Sequence, residues 1–232
     1  MTNSKTRLQS VMNFIKLAEQ QANRPQGSVK LLAVSKTWPA SRLRELAEAG
    51  QNRFGENYLQ EALEKISALA DLQLEWHFIG PAQSNKTREI AANFDWVESV
   101  DRLKIAQRLS AQRPAEKPPL NICLQVNIDN EASKAGVPPD KLMELAAAVS
   151  QLDNLRLRGL MVIPAIAETE EQQLDAFRRA QQLFSQLKTT HPQVDTLSMG
   201  MSADLQAAIT QGSTMVRIGT ALFGERRTPN KQ

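Results

Sequence analysis

The chain has 232 residues, 41% of them hydrophobic and 23% charged, with 28 basic against 25 acidic side chains, which is the composition of a soluble globular protein that needs no disulfide or metal to fold. Its apolar runs are far shorter than the roughly 20 residues of a membrane-spanning helix, and a single cysteine and two histidines exclude an internal disulfide and a Cys/His zinc site. The basic residues are dispersed among acidic ones, apart from Arg226 and Arg227 near the end, so we expect no nucleic-acid partner.

The first elements alternate between helix and strand. Residues 1–5 are polar and lead into an amphipathic helix rather than an apolar signal core, so we expect a cytoplasmic protein. Residues 29–35 form a compact apolar run typical of a buried strand. A helix over about 40–49, a short strand ending at Phe54 and a further amphipathic helix follow.

The alternation continues through the rest of the chain. A third strand is predicted at 75–79, with Pro81 placed as the first residue of a helix. The Pro-rich stretch 113–119 is interpreted as a surface loop rather than a domain boundary. The later strands are predicted at 95–100, 120–128, 157–163, 194–197 and 215–218, with helices between them.

Eight strands, each followed by a helix or a helix start, favour a closed parallel (β/α)8 barrel with an extra N-terminal helix. We predict one TIM-like barrel domain over residues 1–232. An open doubly wound sheet is the structural alternative, although no G-x-G-x-x-G motif follows the first strand.

In such a barrel the active site lies at the carboxyl ends of the strands. Lys36 closes the first strand on the same face as Leu32 and Val34. A barrel mouth that excludes water disfavours a charged amine, and the free base is the form that attacks a carbonyl carbon. A Schiff-base role and a solvent-facing lysine are both open for Lys36. Lys86 and Lys134 lie in longer polar stretches and are interpreted as loop lysines.

The ends of strands seven and eight indicate a phosphate site. Ser198, Gly200 and Ser202 offer hydroxyl groups and an open backbone, and Gly219 and Thr220 begin a short apolar stretch that resembles a helix start. Barrels often bind phosphate at these two ends, through loop amides and a helix N-terminus. Glycine turns and Ser or Thr helix caps are the alternative explanation.

Other residues have structural explanations beside functional ones. Arg217 lies inside the last strand, where its guanidinium must be paired, and Asn57 either binds a ligand or caps the next helix. His77 is interpreted as a satisfied core or barrel-mouth histidine, and Cys123 as a buried inert thiol. A reactive lysine beside a phosphate pocket fits two ligand classes, pyridoxal 5′-phosphate (PLP) and the phosphorylated sugar of a Schiff-base aldolase.

Seven motifs carry a resemblance over nearly the whole chain. They are LLAVSKT at 31–37, FGENY at 54–58, WHFIG at 76–80, QSNK at 83–86, LRGLM at 157–161, SMGMS at 198–202 and MVRIGT at 215–220. Together and in this order they resemble the pyridoxal-phosphate homeostasis proteins of the YggS/PROSC type, which are related to the N-terminal domain of alanine racemase.

The resemblance implies a barrel that carries PLP covalently on Lys36 as an internal aldimine. By motif, Asn57 would lie near the cofactor ring and Arg217 would face the pyridine nitrogen. The phosphate would be surrounded by residues of the last two strand ends: Ser198, Met201, Ser202, Gly219 and Thr220.

The resemblance also implies a role in vitamin B6 and amino-acid or keto-acid homeostasis. An arginine beside the pyridine nitrogen weakens the ring as an electron sink, and the only tyrosine, Tyr58, comes with no second domain that could supply another. We therefore expect a PLP-binding regulatory protein without efficient catalysis, and a weak PLP-dependent amino-acid racemase is the alternative. PLP is the expected partner of a monomeric protein, and transient contact with PLP-dependent enzymes is left open.

Overall fold

A computed structural model describes residues 3–131, 134–165, 167 and 169–225. In it, eight parallel strands form a closed barrel in which each strand pairs with the next and the last pairs with the first. This confirms the predicted barrel and excludes the open sheet. The strands are β1 Lys30–Val34, β2 Arg53–Glu56, β3 Glu75–Phe78, β4 Trp96–Val100, β5 Leu120–Val126, β6 Leu155–Val162, β7 Thr196–Ser198 and β8 Met215–Ile218.

Helices surround the barrel, and one precedes the first strand as predicted. They are α1 Ser4–Gln21, α2 Ala40–Glu48, α3 Leu59–Ala68, α4 Thr87–Asn93, α5 Leu103–Gln112, α6 Leu142–Val149, α7 Glu170–Thr190, α8 Leu205–Thr210 and α9 Thr220–Phe223. None of the helices within the described ranges combines the length and apolar character needed to cross a membrane. The two ends of the predicted 1–232 domain, with Arg226 and Arg227, lie outside the described residues.

The extra helix α1 forms because its sequence supplies a cap and one apolar face. The Asn3 side chain accepts a hydrogen bond from the Thr6 amide and so satisfies one of the free N–H groups at the helix start. Leu8, Val11 and Ile15 are buried on one face. This face packs against α2, α8 and α9, so the helix covers the junction where β8 closes on β1.

Several predicted strand ends differ from the structure by one or two residues, and two differences change the cavity end of the barrel. Pro81 does not begin a helix, because the chain runs on as a loop and α4 starts only at Thr87. Gly80 lies against the backbone of Asn57, and this contact keeps the segment after β3 on the barrel mouth. Strand β2 continues past Phe54 to Glu56, whose side chain is fully buried. A carboxylate is an unusual strand end, and its burial depends on partners that a local pattern does not show.

Candidate functional site

A cavity of about 360 Å³ opens at the carboxyl end of the barrel strands. This is within the size range of pockets that hold small ligands and cofactors. Apolar side chains, among them Trp38, Ile79 and Met161, line part of its wall. Seven of the eight residues that the sequence predicts for cofactor binding also line it: Lys36, Asn57, Met201, Ser202, Arg217, Gly219 and Thr220.

Lys36 reaches this cavity because it follows β1 at an even spacing from Val34, which also lines it. The side chain is half-buried. Its amine has no hydrogen-bond or ion-pair partner among the described residues. The next residue, Thr37, has a φ of 68°, which turns the chain sharply away from the strand direction. The amine is therefore available to a ligand in the cavity.

Arg217 forms the floor of the cavity on the β8 side and is buried. Its Nη1 donates to the Ser198 carbonyl oxygen and to Ser198 Oγ, both at 2.8 Å, and its Nη2 donates to the Val162 carbonyl oxygen at 2.8 Å. Burial lowers the pKa of Arg217, and the Glu98 carboxylate opposes this shift. An arginine remains charged under these conditions, so a cation faces the cavity in a fixed orientation.

Ser198 is the one predicted site residue that does not line the cavity. It is fully buried inside the barrel, and its hydroxyl accepts from Arg217 and donates to Glu98 Oε2 at 2.6 Å. The hydroxyl therefore has its two partners within the protein. Its position links the floor of the cavity to charged groups deeper in the barrel.

Below Ser198, a chain of ionisable groups runs through the barrel interior. Glu98 Oε1 lies 2.6 Å from His77 Nδ1, and His77 Nε2 lies 3.0 Å from Glu75 Oε1. Glu75 also accepts from Arg53 Nε at 2.9 Å and reaches solvent at the amino end of the strands. The chain thus extends from the cavity floor at Arg217 to the opposite end of the barrel.

These contacts shift the pKa values of the interior groups. Burial alone would lower the pKa of His77, but the hydrogen bonds and charges of Glu75 and Glu98 outweigh it and raise that pKa. Burial alone would raise the pKa values of both carboxyl groups. The hydrogen bond and charge of His77, with Arg217 and Ser198, outweigh burial and lower the pKa of Glu98. The hydrogen bond and charge of His77, with the charge of Arg53, likewise hold the pKa of Glu75 at about 2. The interior therefore favours a histidinium between two carboxylates.

Asn57 enters the cavity from the loop after β2. It is half-buried, and its Oδ1 is inaccessible to solvent and has no hydrogen-bond partner within the described residues. Gly80 packs so closely that a Cβ there would lie 2.0 Å from the Asn57 carbonyl oxygen. The Gly80 carbonyl oxygen accepts from Ser99 Oγ at 2.6 Å. Asn57 therefore sits on a fixed backbone with hydrogen-bonding capacity left for a ligand.

The loops after β7 and β8 form another side of the cavity. Gly200 turns the chain with a φ of 97°. The Met201 amide donates to the carboxylate of Asp204, and the side chains of Met201 and Ser202 are exposed. On the other loop, Gly219 precedes α9, whose first N–H groups have no acceptor within the helix. These loops offer hydroxyl and amide donors, and the Met201 amide is already occupied.

The other lysines and the cysteine lie elsewhere. Lys86 immediately precedes α4 and is not part of the cavity lining, and Lys134 forms an ion pair of 3.3 Å with Glu131. Cys123 is fully buried, and burial raises the pKa of its thiol well above the usual value. This places a thiol with little nucleophilic character in the barrel interior.

Two buried clusters were missed by the sequence analysis: the interior chain through Glu98, and a group of charged side chains around Lys65 beneath the Lys36 turn. Each carried a weak signal. Glu98 lies among apolar residues within a strand, and Glu61 and Lys65 share a face of α3 at i, i+4 spacing. Both patterns are also typical of solvated surfaces, so they did not identify buried groups.

Comparison with known proteins identifies the family. Residues 7–227 match the family model of the alanine racemase N-terminal domain. The pyridoxal phosphate homeostasis protein of Pseudomonas aeruginosa is 62% identical over 212 residues, which cover 91% of each chain. That of Escherichia coli K12 is 53% identical over 222 residues, which cover 94% of this chain and 95% of the relative.

Solved structures agree with these matches. PipY of Synechococcus elongatus, solved with PLP bound, is 40% identical with a TM-score of 0.79, over 90% of this chain and 98% of that one. An alanine racemase of Clostridium difficile shares the fold at 14% identity, with a TM-score of 0.71 over 94% of this chain and 57% of the racemase. The chain belongs to the family of pyridoxal phosphate homeostasis proteins and has the barrel of the alanine racemase N-terminal domain.

Proposed function

We propose that this protein binds PLP in the cavity at the carboxyl end of the barrel and holds it covalently through Lys36. The proposal is carried by the convergence of three groups on one cavity: the Lys36 amine, which has no partner in the part of the chain that the structure describes, the guanidinium of Arg217, and the loops after β7 and β8. PLP offers an aldehyde, a pyridine nitrogen and a phosphate, one for each of these groups. The PLP-bound structure of a relative that shares 40% of its sequence supports the same ligand.

The residues of the cavity fit this cofactor. The buried Asn57 Oδ1 has no hydrogen-bond partner among the residues that the structure describes, and rotation of the carboxamide can present either its oxygen or its nitrogen to a ring substituent. Ser202 and Thr220 present hydroxyl groups from two neighbouring loops, beside the backbone amide of Gly219. The Met201 amide would have to leave Asp204 before it could join them.

Lys36 supplies the covalent link. The neutral Lys36 amine would attack the aldehyde carbon, a carbon–nitrogen double bond would replace the carbon–oxygen double bond, and the aldehyde oxygen would leave with both amine hydrogens as water. The apolar wall at Trp38 and Ile79 limits the access of water to this bond. When bound, PLP supplies an electron-withdrawing ring.

The cavity favours a carrier over an efficient racemase. Within the described part of the chain, Lys36 and Arg217 are the ionisable side chains that line it, whereas two-base racemisation requires a proton donor on each face of the cofactor. Tyr58 is 56% exposed and lies outside the lining. Turnover of L-alanine on the order of one per second, by chiral analysis, would contradict the carrier function.

The absorption spectrum of the purified protein tests PLP binding. We expect a visible band after incubation with PLP, because the carbon–nitrogen double bond to Lys36 is conjugated with the pyridine ring. Lys36→Ala should abolish this band, whereas Lys86→Ala should keep it, because Lys86 lies outside the cavity. A visible band of unchanged intensity in Lys36→Ala would show that another amine holds the cofactor.

We further propose that the protein acts in the cytoplasm, in the balance of vitamin B6 and of amino-acid and keto-acid pools. PLP is its partner, and any contact with PLP-dependent enzymes would be transient. We also propose that the protein is a monomer. Met12, Phe14 and Leu17 on α1 are 43%, 45% and 51% exposed and offer an apolar surface to a second copy. Light scattering in solution therefore tests the monomer, and the mass of a dimer would contradict it.

A further inference from the structure

A buried cluster of charged side chains lies beneath the turn that carries Lys36. At its centre is Lys65 of α3, whose side chain is only 5% exposed. Its amine donates to the Ser35 carbonyl oxygen at 2.8 Å, to Glu56 Oε1 at 2.7 Å and to Glu61 Oε1 at 2.5 Å. A lysine amine has three protons to donate, so all three are engaged and none is left for a ligand.

The cluster contacts the chain on both sides of Lys36. Before it, Ser35 donates from Oγ to Glu56 Oε1 at 2.5 Å and accepts from Lys65 at its carbonyl oxygen. After it, the Thr37 amide donates to Glu61 Oε1 at 2.5 Å. The two neighbours of the ligand-facing lysine are therefore tied to the same group of side chains.

Thr37 needs such support. With a φ of 68° it is a β-branched residue in the left-handed region, which such residues rarely adopt. A backbone conformation of this kind persists only where surrounding contacts hold it, and it is often found at functional sites. Here the contact is a hydrogen bond from the strained residue's own amide to a carboxylate, and Lys65 fixes that carboxylate.

We propose that Glu61 and Lys65 are positioning residues that hold the strained turn at Thr37 and thereby direct the Lys36 amine into the cavity. Neither residue lines the cavity, so they act through the backbone around Lys36. The inference rests on the proposed role of Lys36 in PLP binding. It assigns a function to α3 beyond the packing of the barrel.

The electrostatics of the cluster explain why Glu61 is the residue to change. Burial raises the pKa of Glu56 although Lys65 and Ser35 oppose the shift, and removing Lys65 would leave Glu56 buried without its cation. That variant could fail to fold. Glu61 is 29% exposed, and its removal leaves the Lys65–Glu56 pair intact. Glu64, exposed on the same helix, is the matched control.

The test compares Glu61→Ala, Glu64→Ala and Glu61→Gln with the wild type. In the cofactor-free protein, we expect Glu61→Ala to accelerate amide hydrogen exchange of residues 35–38 by about tenfold or more, since local exchange reports the loss of local constraint. We expect it also to weaken PLP binding by about tenfold, because a misplaced reacting group loses the benefit of orientation. Glu61→Gln keeps an acceptor for Thr37 and should retain part of the affinity, and Glu64→Ala should behave as the wild type.

Thr37→Gly separates positioning from general stability. Glycine adopts positive φ without strain, so adding Thr37→Gly to Glu61→Ala should restore PLP affinity to within about threefold of the wild type if the turn conformation is what matters. Failure of this restoration, or identical results for Glu61→Ala and Glu64→Ala, would overturn the inference. A visible band that survives in Lys36→Ala would instead overturn the proposed function.

Discussion

Lys36 differs from the neighbouring lysines in what its amine contacts. Lys65 is buried with three acceptors, and Lys134 is paired with Glu131. Lys86 precedes α4 outside the cavity. Lys36 alone among these four combines a position in the cavity lining with an amine that is free of described partners. At the scale of single residues, the lysine proposed to bind PLP is distinguished by an amine that no described side chain or carbonyl group engages.

His77 makes the stability of the barrel depend on pH. Its folded-state pKa is raised from 6.5, so its contribution to stability is fully present below that value and is lost as the pH rises through the raised pKa. We expect the free energy of unfolding of the wild type, relative to that of His77→Gln, to decrease as the pH rises above about 6.5. Chemical denaturation at several pH values measures this difference.

His191, at the end of α7, provides the control for this measurement. The wild type and His191→Gln should show parallel stability profiles over the same pH range, because His191 lies outside the interior chain. A difference between the wild type and His77→Gln that stays constant from pH 5 to pH 9, a range of about four units around an ordinary histidine pKa, would contradict the histidinium assigned to the barrel interior.

The sequence predicted the residues that line the cavity better than those that support them. Lys36 could be placed because strand alternation puts it on the side of Val34. Glu98 and Lys65 could not be placed, because their burial depends on partners from other elements. Glu98 is bound by His77 and Ser198. Lys65 is bound by Ser35 and Glu56. Local patterns carry no information about such distant pairing.

At the scale of elements, strand ends and their loops fix the cavity by close backbone contacts. The contact between Gly80 and Asn57 joins the loops after β3 and β2, and a Cβ at Gly80 would lie 2.0 Å from the Asn57 carbonyl oxygen. We expect Gly80→Ala to destabilise the protein by about 2 kcal/mol or more, as overpacking does, and to weaken PLP binding. Thermal unfolding and titration with PLP measure the two effects.

Gly50→Ala serves as the comparison for Gly80→Ala. Gly50 has a positive φ of 108°, but a Cβ added there would have no atom within 4 Å, and the residue precedes β2 at the amino end of the barrel. This variant should lose some stability through backbone strain and keep its PLP affinity. Equal PLP affinity in the two variants would show that the contact with Asn57 does not shape the cavity.

In the loops after β7 and β8, the sequence predicted the elements but not the direction of the Ser198 side chain. The expected strand β8 at Met215–Ile218 and the helix start at Thr220 are present. Ser198, however, ends β7 with its hydroxyl directed to Arg217 and Glu98 rather than lining the cavity. A hydroxyl at a strand end can face either way, and the choice is made by a carboxylate that lies 100 residues away in the chain.

At the scale of the whole molecule, the eightfold alternation of strand and helix was sufficient to predict the barrel. Ring closure depends on the pairing of β1 with β8, from Lys30 opposite Met215 to Ala33 opposite Ile218. This closure brings Lys36 and Arg217, which are far apart in the sequence, to one cavity. Six of the seven motifs that carry the resemblance span or follow strand ends that this closure gathers, and the seventh, LRGLM at 157–161, lies within β6.

Covalent trapping tests the central claim most directly. The protein is incubated with PLP, reduced with borohydride to fix any carbon–nitrogen double bond, digested, and analysed by peptide mass mapping. We predict that the cofactor-derived mass is found on the peptide that contains Lys36, and that Lys36→Ala carries none. Attachment at Lys65, Lys86 or Lys134 in the wild type, or no stable adduct at all, would contradict the proposed PLP site.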